Sequence, residues 1–232
     1  EIRRVLRRDG TLWLNVGDSY AASGKGVNKC SGYKRKDLMG IPWKLAFALQ
    51  ADGWYLRQDI IWYKPNTMPE SVKDRCTRSH EYIFLLSKSD RYYFDNEAIK
   101  EPAVTLDRTS PRGSKGALTP NAGRRKRSDL YTSNQENLNM ENLSKNTQFM
   151  CNKRDVWSVP TKGYKGVHFA TFPEKLIVPC ILAGSRKDGF VLDPFAGSGT
   201  VLSVSARYGR KYIGIDINPA YSEIQKQRIK EE

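Results

Sequence analysis

Two acidic residues on either side of a small-residue turn carry the most chemistry in this chain. The run Phe190 to Asp193 is apolar until its last residue, the turn Pro194-Phe195-Ala196-Gly197-Ser198-Gly199 follows, and a helix-like segment starts near Thr200. Strand, tight glycine turn and helix in that order place a ligand at the carboxyl end of the strand. The next apolar run, 211 to 216, ends on Asp216, where a carboxylate can accept both hydroxyls of a ribose. A phosphate-cradling loop needs Gly-Lys-Ser/Thr, and here Gly199 is followed directly by Thr200. A dinucleotide loop carries a third glycine where this chain has Leu202, which disfavours NAD. Asp193 repels a pyrophosphate but suits a ligand with an ammonium or sulfonium centre. These residues fit an adenosine-bearing cofactor and favour one with a cationic group, with NAD weakened but still open.

The elements that position this turn follow from periodicity. The opening EIRRVLRR reads as the end of an amphipathic helix with Ile2, Val5 and Leu6 on one side, so the chain is expected to begin inside a domain. Thr11 to Val16 reads as a buried strand ending at Gly17-Asp18, followed by a Gly/Lys/Ser-rich loop over 21 to 36. Helical spacing runs from Asp37 to Gln50 with Gly53 closing the end, and strands are expected at Trp54 to Tyr63 and at 80 to 88. Two strands joined without a clear helix predict an antiparallel pair at one edge of the sheet, with Tyr92 to Phe94 extending it. From 102 to 154 the composition turns to Ser, Asn, Thr, Gly, Arg and Lys, including the run Arg124, Arg125, Lys126 and Arg127, which reads as insertion rather than core. Order returns at Trp157; a helix over Glu174 to Ala183, strand 190 to 193, helix 199 to 208, strand 211 to 216 and helix 219 to 230 then give β-α-β-α. The fold class expected is α/β, a doubly wound, mostly parallel sheet with an antiparallel edge pair. Three regions are expected: 1 to 101, the insertion 102 to 154, and 155 to 232.

With 232 residues the chain can bury the core of one sizeable domain, or of one domain with a smaller insertion. Its 39% hydrophobic and 11% aromatic content suits a globular enzyme. No apolar run approaches the ~18 residues of a membrane helix, and the amino terminus has no signal-peptide pattern. Cys30, Cys76, Cys151 and Cys180 form no CxxC pair and are expected to be reduced thiols in a cytoplasmic protein. Two histidines without clustering argue against a metal site. A formal charge of +14, from 39 Lys and Arg against 25 Asp and Glu, points to a polyanionic partner, most often nucleic acid. Nothing in the sequence bears on oligomeric state.

Nearly the whole chain resembles one family. DPFAGSGT is similar to the S-adenosylmethionine loop of the DNA amino-methyltransferases, which methylate adenine N6 or cytosine N4. LWLNVGDSY, LQADGWYLRQDIIWYKPN, SHEYIFLLSKS, HFATFPEKL and IGIDINP resemble successive blocks of the class whose catalytic half precedes its cofactor half. The resemblance implies a cofactor site built from Asp193, Pro194, Phe195, Ala196, Gly197, Ser198, Gly199, Thr200, Asp216 and Asn218. Phe172, Pro173 and Glu174 would stand at a helix N-terminus beside the methionine end, where backbone N–H groups can hold a carboxylate. The insertion falls where that class keeps its target-recognition region, so Arg124, Arg125, Lys126 and Arg127 are expected to meet double-stranded DNA, or else to be a solvated loop. Trp62, Tyr63 and Tyr82 either stack a base or belong to the core. A restriction-modification or phage setting, with a paired endonuclease, is implied by the resemblance alone.

One departure stands out. The family holds the amino hydrogens of its target with an Asp/Asn/Ser-Pro-Pro-aromatic loop, and none of the eleven prolines here is followed by another. In this class that loop lies upstream of the first helix, so the chain is expected to start after it and to transfer little methyl alone. Asp18 and Asn66 are the candidates for its role within the chain. The alternatives are a catalytically silent DNA-binding or specificity subunit, and an RNA or protein methyltransferase. Adenine and cytosine both stay open.

Overall fold

The computed structural model describes residues 1–21, 32–103, 150–161 and 172–230. The run Arg124 to Arg127, Cys30 and His168 lie outside them. The described chain divides into two compact units, Glu1–Ile99 with Asn152–Glu232, and Lys100–Cys151. Of the second unit the described part is a short antiparallel pairing of β4 and β5, introduced below.

A short helix α1 (Ile2–Val5) leads through a turn into strand β1 (Thr11–Val16), then helix α2 (Ile41–Ala51) and strands β2 (Tyr55–Tyr63) and β3 (His80–Ser87). After a single 3-10 turn at Glu97–Ile99 come β4 (Glu101–Pro102), β5 (Met150–Cys151), β6 (Val156–Ser158) and α3 (Glu174–Gly184). The chain ends in β7 (Phe190–Asp193), α4 (Thr200–Arg207), β8 (Lys211–Gly214) and α5 (Ala220–Lys230).

Four strands form a mixed sheet in the order β1-β3-β2-β6. β3 is antiparallel to both β1 and β2, whereas β2 and β6 run parallel. The antiparallel pair expected at an edge is therefore interior, because β1 adds a six-residue ladder, Thr11 opposite Ser87 through Val16 opposite Tyr82, to the far side of β3. β7 and β8 pair in parallel, Phe190 opposite Lys211 through Asp193 opposite Gly214.

The central position of β3 explains its unbroken apolar run. Successive side chains point to opposite faces, and both faces are covered. Phe84 and Leu86 pack with Ala46 and Trp54 on the α2 side, while Ile83 packs with Ile60, Trp62, Trp157, Leu176 and Cys180 on the α3 side. Burying each large apolar side chain contributes roughly 1.5–3 kcal/mol. The opposite flank of α3 sends Ile177 and Ile181 against Val204 of α4, with Val191 of β7 alongside. One helix thus closes the core of the four-stranded sheet and the core under the β7-β8 turn.

Two local expectations change. The residues Tyr92 to Phe94 do not extend β3: Ser87 Oγ and Ser89 Oγ donate to carbonyls two residues on, the chain bends, and Tyr93 N–H goes to Asp9 O at 2.8 Å. The first long helix starts at Ile41, not Asp37, because Gly40 takes a left-handed conformation at φ 66° and Asp37 spends a carboxylate oxygen on Lys34 N–H at 3.1 Å. No helix among the described residues is long and apolar enough to cross a membrane.

Candidate functional site

The turn after β7 is fixed by its own backbone and by two carboxylates. Asp193 Oδ1 accepts the N–H of Phe195 at 3.0 Å, and Asp216 Oδ2 accepts that of Gly197 at 2.8 Å. Ala196 N–H donates to Ile215 O at 2.9 Å and Gly199 N–H to Ala196 O at 2.7 Å. Gly197 and Gly199 sit at φ 49° and 81°, the left-handed region where glycine avoids a steric penalty. Asp216 Oδ1 also accepts the N–H of Asn218 at 2.9 Å, and Asn218 Oδ1 accepts that of Ala220 at 3.0 Å, which starts α5. Asp193 and Asp216 thus stand at the carboxyl ends of two parallel strands, oriented before any ligand arrives.

Four N–H groups of this turn are consumed internally, so the turn does not present the ring of donors that a phosphate-binding loop offers. Its polar offering is acidic. Burial pushes the Asp193 carboxyl above its ordinary range, the neighbouring Asp216 charge adds to the shift, and the Phe195 N–H opposes it. A cation placed there would offset that burial. Two large apolar side chains flank the acidic pair in solvent: Phe195 is 85% exposed and Ile217 fully so. Ile217 escaped the sequence reading; its signal is an apolar residue immediately after a strand-terminal carboxylate.

The segment Phe172-Pro173-Glu174 does lie at a helix N-terminus, with Pro173 capping α3 and no side-chain cap. Phe172 packs against both cores. The Glu174 carboxylate, however, is engaged by the protein: Oε2 accepts from Arg207 Nη1 and Oε1 from Arg228 Nη2, each at 2.9 Å. Burial alone would raise its pKa, and the two guanidinium groups together hold it below the usual range instead.

Asp18 and Asn66 are likewise engaged. Asp18 Oδ1 accepts the N–H groups of Ser19 at 2.9 Å and Ile41 at 3.0 Å, the second being the first helical residue of α2. Asn66 Oδ1 accepts Thr161 N–H at 2.8 Å and its Nδ2 donates to Thr161 O at 2.8 Å, clasping the stretch of chain after β6. Trp62 is buried with Nε1 donating to Val159 O, and the half-buried Tyr82 stacks on Phe84 at 5.7 Å against the core. Tyr63 is exposed. Three of the family-like blocks converge at the carboxyl ends of β1 and β2, a polar group that single motifs did not reveal. Asn15 Nδ2 donates to Glu81 Oε2 at 3.2 Å, Glu81 Oε1 accepts from Lys64 Nζ, and that ammonium lies 4.2 Å from the Trp62 ring centre. No group of three or more metal-ligating side chains occurs among the described residues.

An α/β chain whose parallel strands end in two carboxylates around a glycine turn defines the class of adenosine-cofactor enzymes. Residues 1–227 match the DNA methylase family of N6 and N4 aminomethylases, and the chain belongs to that family. It is 43% identical to the type II methyltransferase M.Cfr9I of Citrobacter freundii, over 100% of this chain and 69% of the relative. To M.SmaI of Serratia marcescens it is 45% identical, over 99% and 70%. Among solved structures, the PvuII DNA methyltransferase (cytosine-N4-specific) superposes with a TM-score of 0.64 at 17% identity, over 98% of this chain and 66% of that one. The complex of M1.HpyAVI with S-adenosylmethionine gives 0.59 at 15%, over 98% and 78%. The fold is that of the S-adenosylmethionine-dependent DNA methyltransferases, and the activity of the family is methyl transfer to an amino group of adenine or cytosine.

Proposed function

We propose that the β7-β8 turn is where this chain holds S-adenosylmethionine, and that the methyl group goes to an amino nitrogen of a base in double-stranded DNA. One observation carries the reading: the turn spends its own N–H groups on Asp193, Asp216 and the backbone, leaving an acidic, preorganised site that suits a sulfonium and ribose hydroxyls rather than a phosphate. When bound, S-adenosylmethionine supplies an electrophilic methyl group on a positively charged sulfur. Asp216 accepts the ribose hydroxyls, Asp193 balances positive charge, and Phe195 and Ile217 give apolar cover to the adenine ring. The N-terminus of α3, at Pro173 and Glu174, meets the methionine carboxylate through backbone N–H groups. Pro194, Ala196, Ser198, Gly199, Thr200 and Asn218 shape the turn.

The target base is turned out of the duplex to reach the methyl group, and the transfer depends on alignment and exclusion of water more than on acid-base groups. Asp18 and Asn66 serve that end by holding backbone, and a Pro-Pro-aromatic loop of the family, which no proline pair here supplies, holds the amino hydrogens. Residues 1 to 101 form the catalytic half, 102 to 154 the target-recognition region with Arg124, Arg125, Lys126 and Arg127 on DNA phosphates, and 155 to 232 the cofactor half. A cytoplasmic restriction-modification role, opposite a paired endonuclease, fits the type II relatives.

The reading is tested by titration calorimetry with S-adenosylmethionine on the parent and on Asp216→Ala. Removing one oriented carboxylate should cost about 1–3 kcal/mol of binding. An unchanged Kd rejects the site.

A further inference from the structure

We propose that Gln225 and Arg228 of the last helix are positioning residues that set the shape of the cofactor turn. Four consecutive residues, the last three of the turn and the first of α4, meet them. Gln225 Nε2 donates to Gly197 O at 2.8 Å. Arg228 Nη1 donates to Ser198 Oγ at 3.2 Å and to Thr200 Oγ1 at 2.9 Å, and both hydroxyl residues are buried. Gly199, at φ 81°, packs so closely that an added Cβ would stand 3.0 Å from Gln225 Cγ and 3.3 Å from its Cα. The other arm of the guanidinium, Nη2, reaches Glu174 Oε1 at 2.9 Å, and Glu174 Oε2 is taken by Arg207 of α4.

A planar guanidinium can serve two hydroxyls and a carboxylate from fixed directions; an ammonium at the same place is a single point of charge. The turn therefore owes its left-handed glycine and its buried hydroxyl pair to a helix that begins after the second ligand carboxylate. Glu174 joins the same network as an anchor, which gives the acidic residue of the FPEKL block a reason to be acidic other than touching a ligand. None of these side chains needs to touch the cofactor. Their effect is to reduce the number of shapes the turn samples before binding, which otherwise lowers apparent affinity by the fraction of time the competent shape is populated.

This inference rests on the reading of the turn as the S-adenosylmethionine site, and the experiment separates the two. The chain is compared with Gln225→Ala, Arg228→Lys, Arg228→Ala and Asp216→Ala by calorimetric titration with S-adenosylmethionine, well below each melting midpoint. Hydrogen exchange of the amides at 197 to 200 is followed in parallel. Arg228→Ala should weaken binding about tenfold, near the lower end for a lost charge-assisted hydrogen bond, with Arg228→Lys recovering part of it and Gln225→Ala losing a few-fold. Exchange at 197 to 200 should accelerate in all three while β3 keeps its protection. Parent affinity in both Gln225→Ala and Arg228→Ala, beside a weakened Asp216→Ala, overturns the positioning role and leaves the site standing. Parent affinity in Asp216→Ala as well overturns the site and this inference with it. Should Arg228→Ala fail to fold, Gln225→Ala and Arg228→Lys decide the same question.

Discussion

At the scale of single residues, Asp193 makes the sharpest statement about the ligand. Its carboxyl is held above the ordinary range by burial, with Asp216 contributing and the Phe195 N–H opposing. A raised carboxyl favours the protonated form on folding, so its contribution to stability is full below the unfolded value near 3.9 and is lost as pH rises through the folded one. A cationic ligand reverses that preference. Affinity for S-adenosylmethionine should climb as pH rises through the window just above the normal aspartate range, with a proton released on binding. Calorimetry across that window in two buffers of different ionisation heat reads that proton directly; equal observed heats in the two buffers, and a flat affinity up to neutrality, contradict it. Glu174 acts as the internal control. Its carboxyl is held below the usual range by Arg228 and Arg207 against the effect of burial, so its contribution is present above the unfolded value and falls away only as pH drops through the lower folded one. Both aspartates were legible in the sequence because each ends an apolar run. Gln225 and Arg228 were not, since no spacing rule links a helix face to a turn that precedes it by more than twenty residues in the chain.

At the scale of elements, a capping interaction shows how local chemistry sets a boundary that periodicity misses. The apolar spacing around Leu38, Ile41 and Leu45 supports a helix from Asp37 equally well, yet the helix waits for Ile41, whose N–H finds Asp18 from the end of β1. Gly40 at the N-cap offers no side chain, so the cap comes from elsewhere in the chain. Asp18→Ala should lower stability by about 1 kcal/mol, with Asp18→Asn much closer to the parent, measured as the midpoint of urea unfolding. Affinity for S-adenosylmethionine should not change in either variant; a large loss of binding without loss of stability would put Asp18 on the ligand's side. β6 was missed for a different reason. Three residues that pair with β2 and bury only Trp157 carry too short a pattern to register. The long elements β2, β3, α3 and α5 were legible because each carries a pattern long enough to register.

At the scale of the molecule, the basic excess of +14 and the proposed contact of the run Arg124 to Arg127 with phosphates are tested together by salt. Replacing Arg124, Arg125 and Arg127 by alanine should weaken binding to duplex DNA and reduce the slope of log affinity against log salt by roughly one unit for each phosphate that is no longer neutralised. A slope equal to the parent's would make the run a solvated loop. Charge pointed to a polyanion, whereas the mixed order of the sheet needed the structure, because pairing partners far apart in sequence leave no local mark. The helix α3 adds a consequence for heredity. It turns one flank to Trp62 and Ile83 and the other to Val204 and Val191, and its first residue anchors the arginines of α4 and α5. Gene shuffling that joins the β1 to β3 segment, Thr11–Ser87, of one relative to the α3 to α5 segment, Glu174–Lys230, of another would cut no simple linker. Each chimera would have to match two hydrophobic flanks and one carboxylate at once, so members of such a lineage should inherit the four-stranded sheet and the β7-β8 turn together.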